Sequence, residues 1–185
     1  MRVVDTDLVL RAQRGDKQAF VELATAIADR YLAVARRILR DLNLAEDATQ
    51  QALLSIWQDL PQLRDPARFE AWSYRLLVRA CYTEGRKNRR WAPNLRLMPP
   101  GEPLAVDDLS SVADRDQLER GFRRLSLDHR TVVVLHHYLD LPLDEVAEAL
   151  GIPVGTVASR LHYAMRSLRA ALDADARSTT RKAAQ

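Results

Sequence analysis

Apolar residues recur every third or fourth position along most of the chain, and no stretch alternates strictly in the two-residue period of a half-buried strand. The pattern predicts helices. Asp7 can cap a short one through Arg14, and Gly15 stops it. Asp16 can cap a longer one, with Phe20, Leu23, Ile27, Tyr31, Val34 and Ile38 on one stripe. A third is expected from about Leu44 to Leu60. It buries Ala45, Ala48, Ala52, Ile56 and Leu60 and leaves Asp47, Gln50 and Gln51 on polar faces. Pro61 and Pro66 bracket a loop, because proline disfavours helix at the residue before it. A fourth helix follows from about Ala67 to Lys87, with Phe69, Trp72, Leu76 and Ala80 facing inward.

The pattern then fails. Between 91 and 113 stand Pro93, Pro99, Pro100, Gly101 and Pro103, followed by Asp107, Asp108, Ser110 and Ser111. So many prolines forbid a continuous helix, and the expectation is an extended, flexible linker. Helical spacing resumes at Asp114: Leu118, Phe122 and Leu125 mark one helix, and Val132, Val133, Leu135, His136 and Leu139 another. Pro142 stands at a helix start, where its missing N–H costs nothing. A short helix ends at Gly151, and a last one runs from about Val154 to Leu172. Residues 173–185 lose the periodicity and are expected to be disordered. The fold class is therefore all-α. Two small helical domains, 1–90 and 114–172, flank a Pro-rich linker over 91–113, and the C-terminal domain is a helix-turn-helix.

Composition narrows the class. The chain has 185 residues, 47% hydrophobic and 29% charged, which are globular values. Its apolar runs are far shorter than the roughly 18 residues of a membrane span, and its start lacks a secretory apolar core. Cys81 is the single cysteine, which excludes a disulfide framework. The expectation is a soluble cytoplasmic protein without membrane insertion. Net charge is only +3, yet its placement is uneven. Leu143 to Leu150 holds Asp144, Glu145 and Glu148 with no base, whereas Val154 to Leu172 holds Arg160, Arg166 and Arg169 with no acid. The other basic cluster is Arg86, Lys87, Arg89 and Arg90. Two separate positive surfaces suit two contacts with one long polyanion.

Both surfaces have a chemistry to match. Leu143–Leu150 and Val154–Leu172, joined across Gly151-Ile152-Pro153, form the helix-turn-helix pattern. Ala147 allows close approach and Gly151 tolerates positive φ. The buried stripe is Val146, Leu150, Ile152, Val157, Leu161, Ala164 and Leu168. The opposite stripe, Thr156, Ser159, Arg160, Tyr163 and Ser167, can hydrogen-bond throughout and suits a major groove. On the fourth helix Arg75, Arg79, Tyr82 and Arg86 share one face, extended by Thr83 and Lys87. Cations that track phosphates around a ring that can stack a base suit unpaired strands better than duplex.

Taken together, the segments resemble a bacterial RNA polymerase sigma factor of the extracytoplasmic-function (ECF) group, which has sigma regions 2 and 4 and little else. The resemblance covers about residues 5–172. It rests on Ala45 to Gln51 with Trp57, on Phe69 to Arg75, on Leu141 to Ala147 and on Gly155 to Leu161, in that order. It implies that Asp47, Gln50 and Gln51 bind the clamp helices of the polymerase β′ subunit and that region 4 meets the β flap. Gln62–Arg68 and the fourth helix (Arg75, Arg79, Tyr82, Thr83, Arg86, Lys87) would capture a flipped base of the minus-ten element. The last helix (Thr156, Ser159, Arg160, Tyr163, Arg166) would read the minus-thirty-five duplex. The linker would thread toward the active site and the RNA exit path. The implied partners are core RNA polymerase, promoter DNA and an anti-sigma factor. The implied location is the cytoplasm, on the nucleoid when bound to polymerase.

The chain departs from the family at Arg79, where asparagine is common, and at Gly85, where a hydrophobic residue is common. It also has Ala158, Tyr163 and Met165 where the family often carries bases, which implies fewer phosphate contacts at minus thirty-five. A helix-turn-helix regulator that never touches polymerase is the alternative; it leaves Asp47, Gln50, Gln51 and the fourth helix without purpose. A metalloenzyme using His136, His137 and Asp140 is the other rival. Adjacent helical histidines point about 100° apart and chelate one ion poorly. No acid–base pair and no phosphate-binding glycine loop stand out, so no catalytic residue, metal or cofactor is expected.

Overall fold

The computed structural model describes residues 4–91 and 120–183. The expected linker 91–113 lies, beyond Trp91, outside the described residues. Among them no strand occurs. The chain divides into two compact units, the first built on α1–α4, the second on α5, α6, α8 and α7 through Ala147.

In the first unit α1 spans Thr6–Gln13, α2 Lys17–Leu39, α3 Leu42–Asp59 and α4 Phe69–Trp91. Aspartates start them. Asp5, not the expected Asp7, caps α1 by accepting from the Asp7 N–H at 3.0 Å. The spacing allowed either residue, and the one in extended geometry is the cap. Asp16 caps α2 through the Ala19 N–H (3.0 Å) and also holds Arg11 at 2.9 Å. Asp41 caps α3 through the Leu44 N–H (3.0 Å), so the helix begins at Leu42, two residues before the expected start. Gly15 turns the chain between α1 and α2 at φ +92°. The segment between α3 and α4 is two single 3₁₀ turns, Leu60–Gln62 and Pro66–Arg68, each carrying proline where a donor is not needed.

The core of this unit is the predicted stripe. Leu23, Ile27, Tyr31, Val34 and Ile38 of α2 are buried against Ala45, Ala48, Ala52 and Ile56 of α3 and Phe69, Tyr74, Leu77 and Cys81 of α4. The alanines let α3 approach closely. A polar chain crosses this core: the Tyr31 hydroxyl donates to Ser73 Oγ, which donates to the Glu70 carbonyl at 3.0 Å. Nearby Arg30 pairs with Glu70 at 3.2 Å and lies 5.5 Å from the Tyr74 ring centroid. Trp72 and Phe20, expected inside, are only half-buried. Phe20 instead meets the exposed Trp57 edge-on, 4.6 Å between ring centres.

In the second unit α5 is described at 120–124, α6 spans Leu127–Val133, α7 Leu143–Leu150 and α8 Val154–Ala183. Ser126 caps α6 through the His129 N–H. Gly121 lies so close to α8 that a Cβ there would meet Leu168 Cδ2 at 3.1 Å. The α6 helix does not continue in α geometry through Leu139. Val134–Tyr138 is a π turn. The sequence stripe is compatible with either form, since one added residue per turn moves the face only gradually. The last helix, expected to end near Leu172 before a disordered tail, continues to Ala183. No glycine or proline occurs between Ala170 and Ala183, so nothing in the backbone stops it.

Candidate nucleic-acid and polymerase interfaces

The face predicted on α3 exists. Asp47, Gln50 and Gln51 are all exposed, while Ala45, Ala48 and Ala52 beside them are buried. The helical register continues that face to Leu54 and Trp57. These are 49% and 40% exposed, large figures for such apolar side chains. Leu54 was not among the expected residues. Its signal was present, at seven residues beyond Asp47, but a leucine directly after Ala52 and Leu53 reads as core.

On α4 the expected face is uneven. Arg79, Thr83, Arg86 and Lys87 are exposed, whereas Arg75 and Tyr82 are half-buried. Thr83 donates back to the Arg79 carbonyl at 3.0 Å, which leaves its oxygen lone pairs facing outward. Lys87 pairs with Glu84 at 2.7 Å, and Glu84 is itself buried. This carboxylate partly neutralises the basic face from beneath. Cys81 lies on the inner side. Burial pushes its thiol up to about 12, so it is a packed side chain and not a nucleophile at neutral pH.

In the helix-turn-helix, Gly151 supplies the left-handed turn at φ +65°, and the Ile152 N–H donates to the Ala147 carbonyl at 3.2 Å. Val146, Val157, Ala164 and Leu168 are buried as expected, while Leu150, Ile152 and Leu161 are half-buried. The outer face of α8 is not uniform. Ser159, Tyr163 and Arg166 are exposed, Tyr163 at 56%. Ser159 donates to the Thr156 carbonyl at 3.0 Å, so toward DNA it can accept but not donate in this rotamer. Arg160 is half-buried and paired with Asp128 of α6 at 3.1 Å. Its guanidinium therefore braces α8 against α6 as well as facing the outer stripe. His162 is exposed beside Ser159 and Tyr163, in edge contact with the Tyr163 ring at 5.9 Å. It was not predicted, because it falls between two expected positions of the stripe.

The histidine pair does not form a metal site. Among the described residues no group of three or more histidine, cysteine or acidic side chains can hold an ion. His136 Nδ1 instead lies 2.8 Å from the Leu141 carbonyl. His137 is exposed overall, yet partial desolvation of its ring and then the neighbouring His136 lower its pKa. Among the described residues no helix is long and apolar enough to cross a membrane.

Comparison with known proteins decides the family. Residues 23–91 match Sigma-70 region 2, and residues 115–168 match Sigma-70, region 4. The ECF RNA polymerase sigma factor SigL of Mycobacterium tuberculosis is 32% identical over 85% of this chain and 93% of its own length. The chain belongs to the ECF sigma factors. The RNA polymerase sigma-E factor of Streptomyces coelicolor is 32% identical over 91% of this chain and 96% of its own. Among solved structures, that of CnrH in complex with the cytosolic domain of CnrY shares the fold at a TM-score of 0.68. The two sequences are 24% identical, and the match covers 92% of this sigma factor and 98% of CnrH. The sigma factor RpoE of Bartonella quintana, solved with the anti-sigma factor NepR, gives 0.67 at 21% identity, over 84% of this chain and 98% of that one. As a sigma factor the protein binds core RNA polymerase, recognises promoter DNA and promotes initiation. It is not an enzyme.

Proposed function

We propose a division of labour among the three faces. The α3 face of Asp47, Gln50 and Gln51, extended by Leu54 and Trp57, binds the β′ clamp helices. Polar groups set register there, and the two apolar side chains supply area to desolvate. The α4 face of Arg75, Arg79, Tyr82, Thr83, Arg86 and Lys87 captures the unpaired minus-ten strand. The α8 face of Thr156, Ser159, Arg160, Tyr163 and Arg166 reads the minus-thirty-five duplex, with region 4 docked on the β flap. Residues 91–113 connect regions 2 and 4 through the polymerase. The work is done in the cytoplasm, on the nucleoid, and an anti-sigma factor masks these faces when the signal is absent.

The observation that carries this reading is the combination on α4. An aromatic ring, Tyr82, lies one turn from two exposed cations, Arg79 and Arg86, on a helix whose other side is anchored in the core. Base stacking is worth about 1–3 kcal/mol, and it is available only once the strands part. The test is a Tyr82→Ala, Arg79→Ala double variant assembled with core polymerase. Core binding is expected to survive and open-complex formation to be lost. Persistent run-off transcription would remove the minus-ten assignment.

A further inference from the structure

The π turn at Val134–Tyr138 has no place in the three faces, yet it is the least ordinary backbone among the described residues of the second unit. The Leu139 N–H reaches back five residues to the Val134 carbonyl (3.2 Å). Asp140 then adopts φ 54°, a left-handed geometry that a non-glycine residue takes at some cost. Such costs persist only where the surroundings over-determine them. The surroundings here are two consecutive residues of the turn. The Leu141 N–H donates to the Leu135 carbonyl at 3.2 Å, and the Leu141 carbonyl lies 2.8 Å from His136 Nδ1. Leu141 is thus gripped through both of its backbone polar groups, while its side chain and that of Leu139 are buried.

A carbonyl only accepts, so the Nδ1 of His136 must carry the proton. Both the neutral Nδ1–H tautomer and the imidazolium meet that requirement. The next residue, Pro142, has a fixed φ and opens α7, its carbonyl accepting from the Val146 N–H at 3.0 Å. The direction of α7 is therefore set at Leu141. We propose that His136 is a positioning residue for promoter recognition: by holding the Leu141 carbonyl it fixes the turn into α7, and so the angle at which the helix-turn-helix meets duplex DNA. This rests on the reading that α8 contacts the minus-thirty-five element. A rigid entry angle matters there because base-edge hydrogen bonds tolerate only tenths of an ångström, whereas phosphate contacts tolerate more. Loss of the clamp is then a loss of selectivity before it is a loss of affinity.

Three variants separate the bond from mere packing. His136→Asn places an amide N–H where Nδ1 was. His136→Gln carries the amide one bond farther out. His136→Leu keeps bulk without a donor. Each full-length variant is assembled with core polymerase. Binding is measured to the minus-thirty-five sequence that the wild-type holoenzyme selects from a randomised promoter library, and to a scrambled duplex of equal length. Thermal unfolding is followed in parallel. The Gln and Leu variants are expected to lose about tenfold in the ratio of selected to scrambled binding. The Asn variant is expected to stay within about twofold of wild type. Should Leu lower the melting temperature so far that it no longer assembles, the Asn–Gln pair still isolates donor position. Equal ratios for Asn and Gln overturn the proposal, as does an unchanged ratio in Gln. A Ser159→Ala, Arg166→Ala variant run alongside tests the underlying reading by itself. If its ratio is unchanged, α8 does not read this element, and the role proposed for His136 falls with it.

Discussion

The hydroxyl chain from Tyr31 through Ser73 to Glu70 ties α2 to α4 and fixes the rotation of α4 about its axis. That rotation is what presents Arg79, Tyr82 and Thr83 together. Tyr31 and Ser73 have no solvent exposure, and burial raises the tyrosine pKa, so its hydroxyl remains a donor at any working pH. The two halves of the bond are unequal when removed. Ser73→Ala strands a buried donor and costs about 1–3 kcal/mol, whereas Tyr31→Phe removes the donor itself and costs about 1 kcal/mol. The double variant strands nothing and loses less than the two together, a coupling of about 1 kcal/mol. All three tryptophans lie in α3 and α4, so fluorescence during urea unfolding reports the first unit. With an m-value of about 1–3 kcal/mol/M, the Ser73→Ala midpoint is expected to fall by about 1 M. Strict additivity in the double variant, or a Ser73→Ala loss no larger than that of Tyr31→Phe, would refute the argument that a stranded hydroxyl dominates.

Three further outcomes are expected. Ala158→Lys adds a cation on the exposed side of α8 where none stands; affinity for the selected minus-thirty-five duplex should rise at low salt and its logarithmic salt slope should steepen by about 0.9. An unchanged slope would place residue 158 away from phosphate. The lowered pKa of His137, due to burial first and His136 second against an opposing Asp140, means that the unfolded chain binds the proton more readily. Stability from this residue is therefore full above the ordinary histidine pKa of about 6.5 and declines as pH falls through it toward the lower folded value. His137→Gln should flatten that part of the melting-temperature profile, and identical profiles would discard the assignment. Cys81, held near 12 by burial, should resist iodoacetamide in the native protein and react once urea unfolds the first unit; rapid native labelling would show that α4 opens locally.

The repeating stripes of α2 and α3 were legible because every buried position but Thr49 is apolar and recurs at helical spacing, so spacing and burial carry the same message. Asp16 was legible as a cap for the same reason: it stands where a stripe begins. Asp5 was not, because Asp7 is an equally good cap by composition and only the extended backbone at Asp5 separates them. The π turn was invisible because the apolar run Val132–Leu135 fits either helix. The face of α8 was legible as a face but not as a set of free groups. Arg160 is braced by Asp128, 32 residues earlier in the chain, and periodicity within one helix holds no information about a partner on another. Leu54 and Trp57 illustrate the reverse. Their apolar character suggests core, and only the surrounding packing shows that both stay partly open to solvent, Trp57 even with Phe20 against its ring.

Asp5, Asp41 and Asp65 each spend a carboxylate on a single backbone N–H, from Asp7, Leu44 and Ala67, all at 3.0 Å. Asparagine would cap these starts about as well. The acid at each position is thus nearly free of structural obligation, and the three together hold the formal net charge at +3. Replacing all three with asparagine would raise it by three, and Asp5 and Asp41 lie outside every DNA-facing segment assigned above. The starts of α1 and α3 therefore act as a trim on the protein's attraction to any polyanion, adjustable by single substitutions at Asp5 or Asp41, outside the segments assigned to reading sequence.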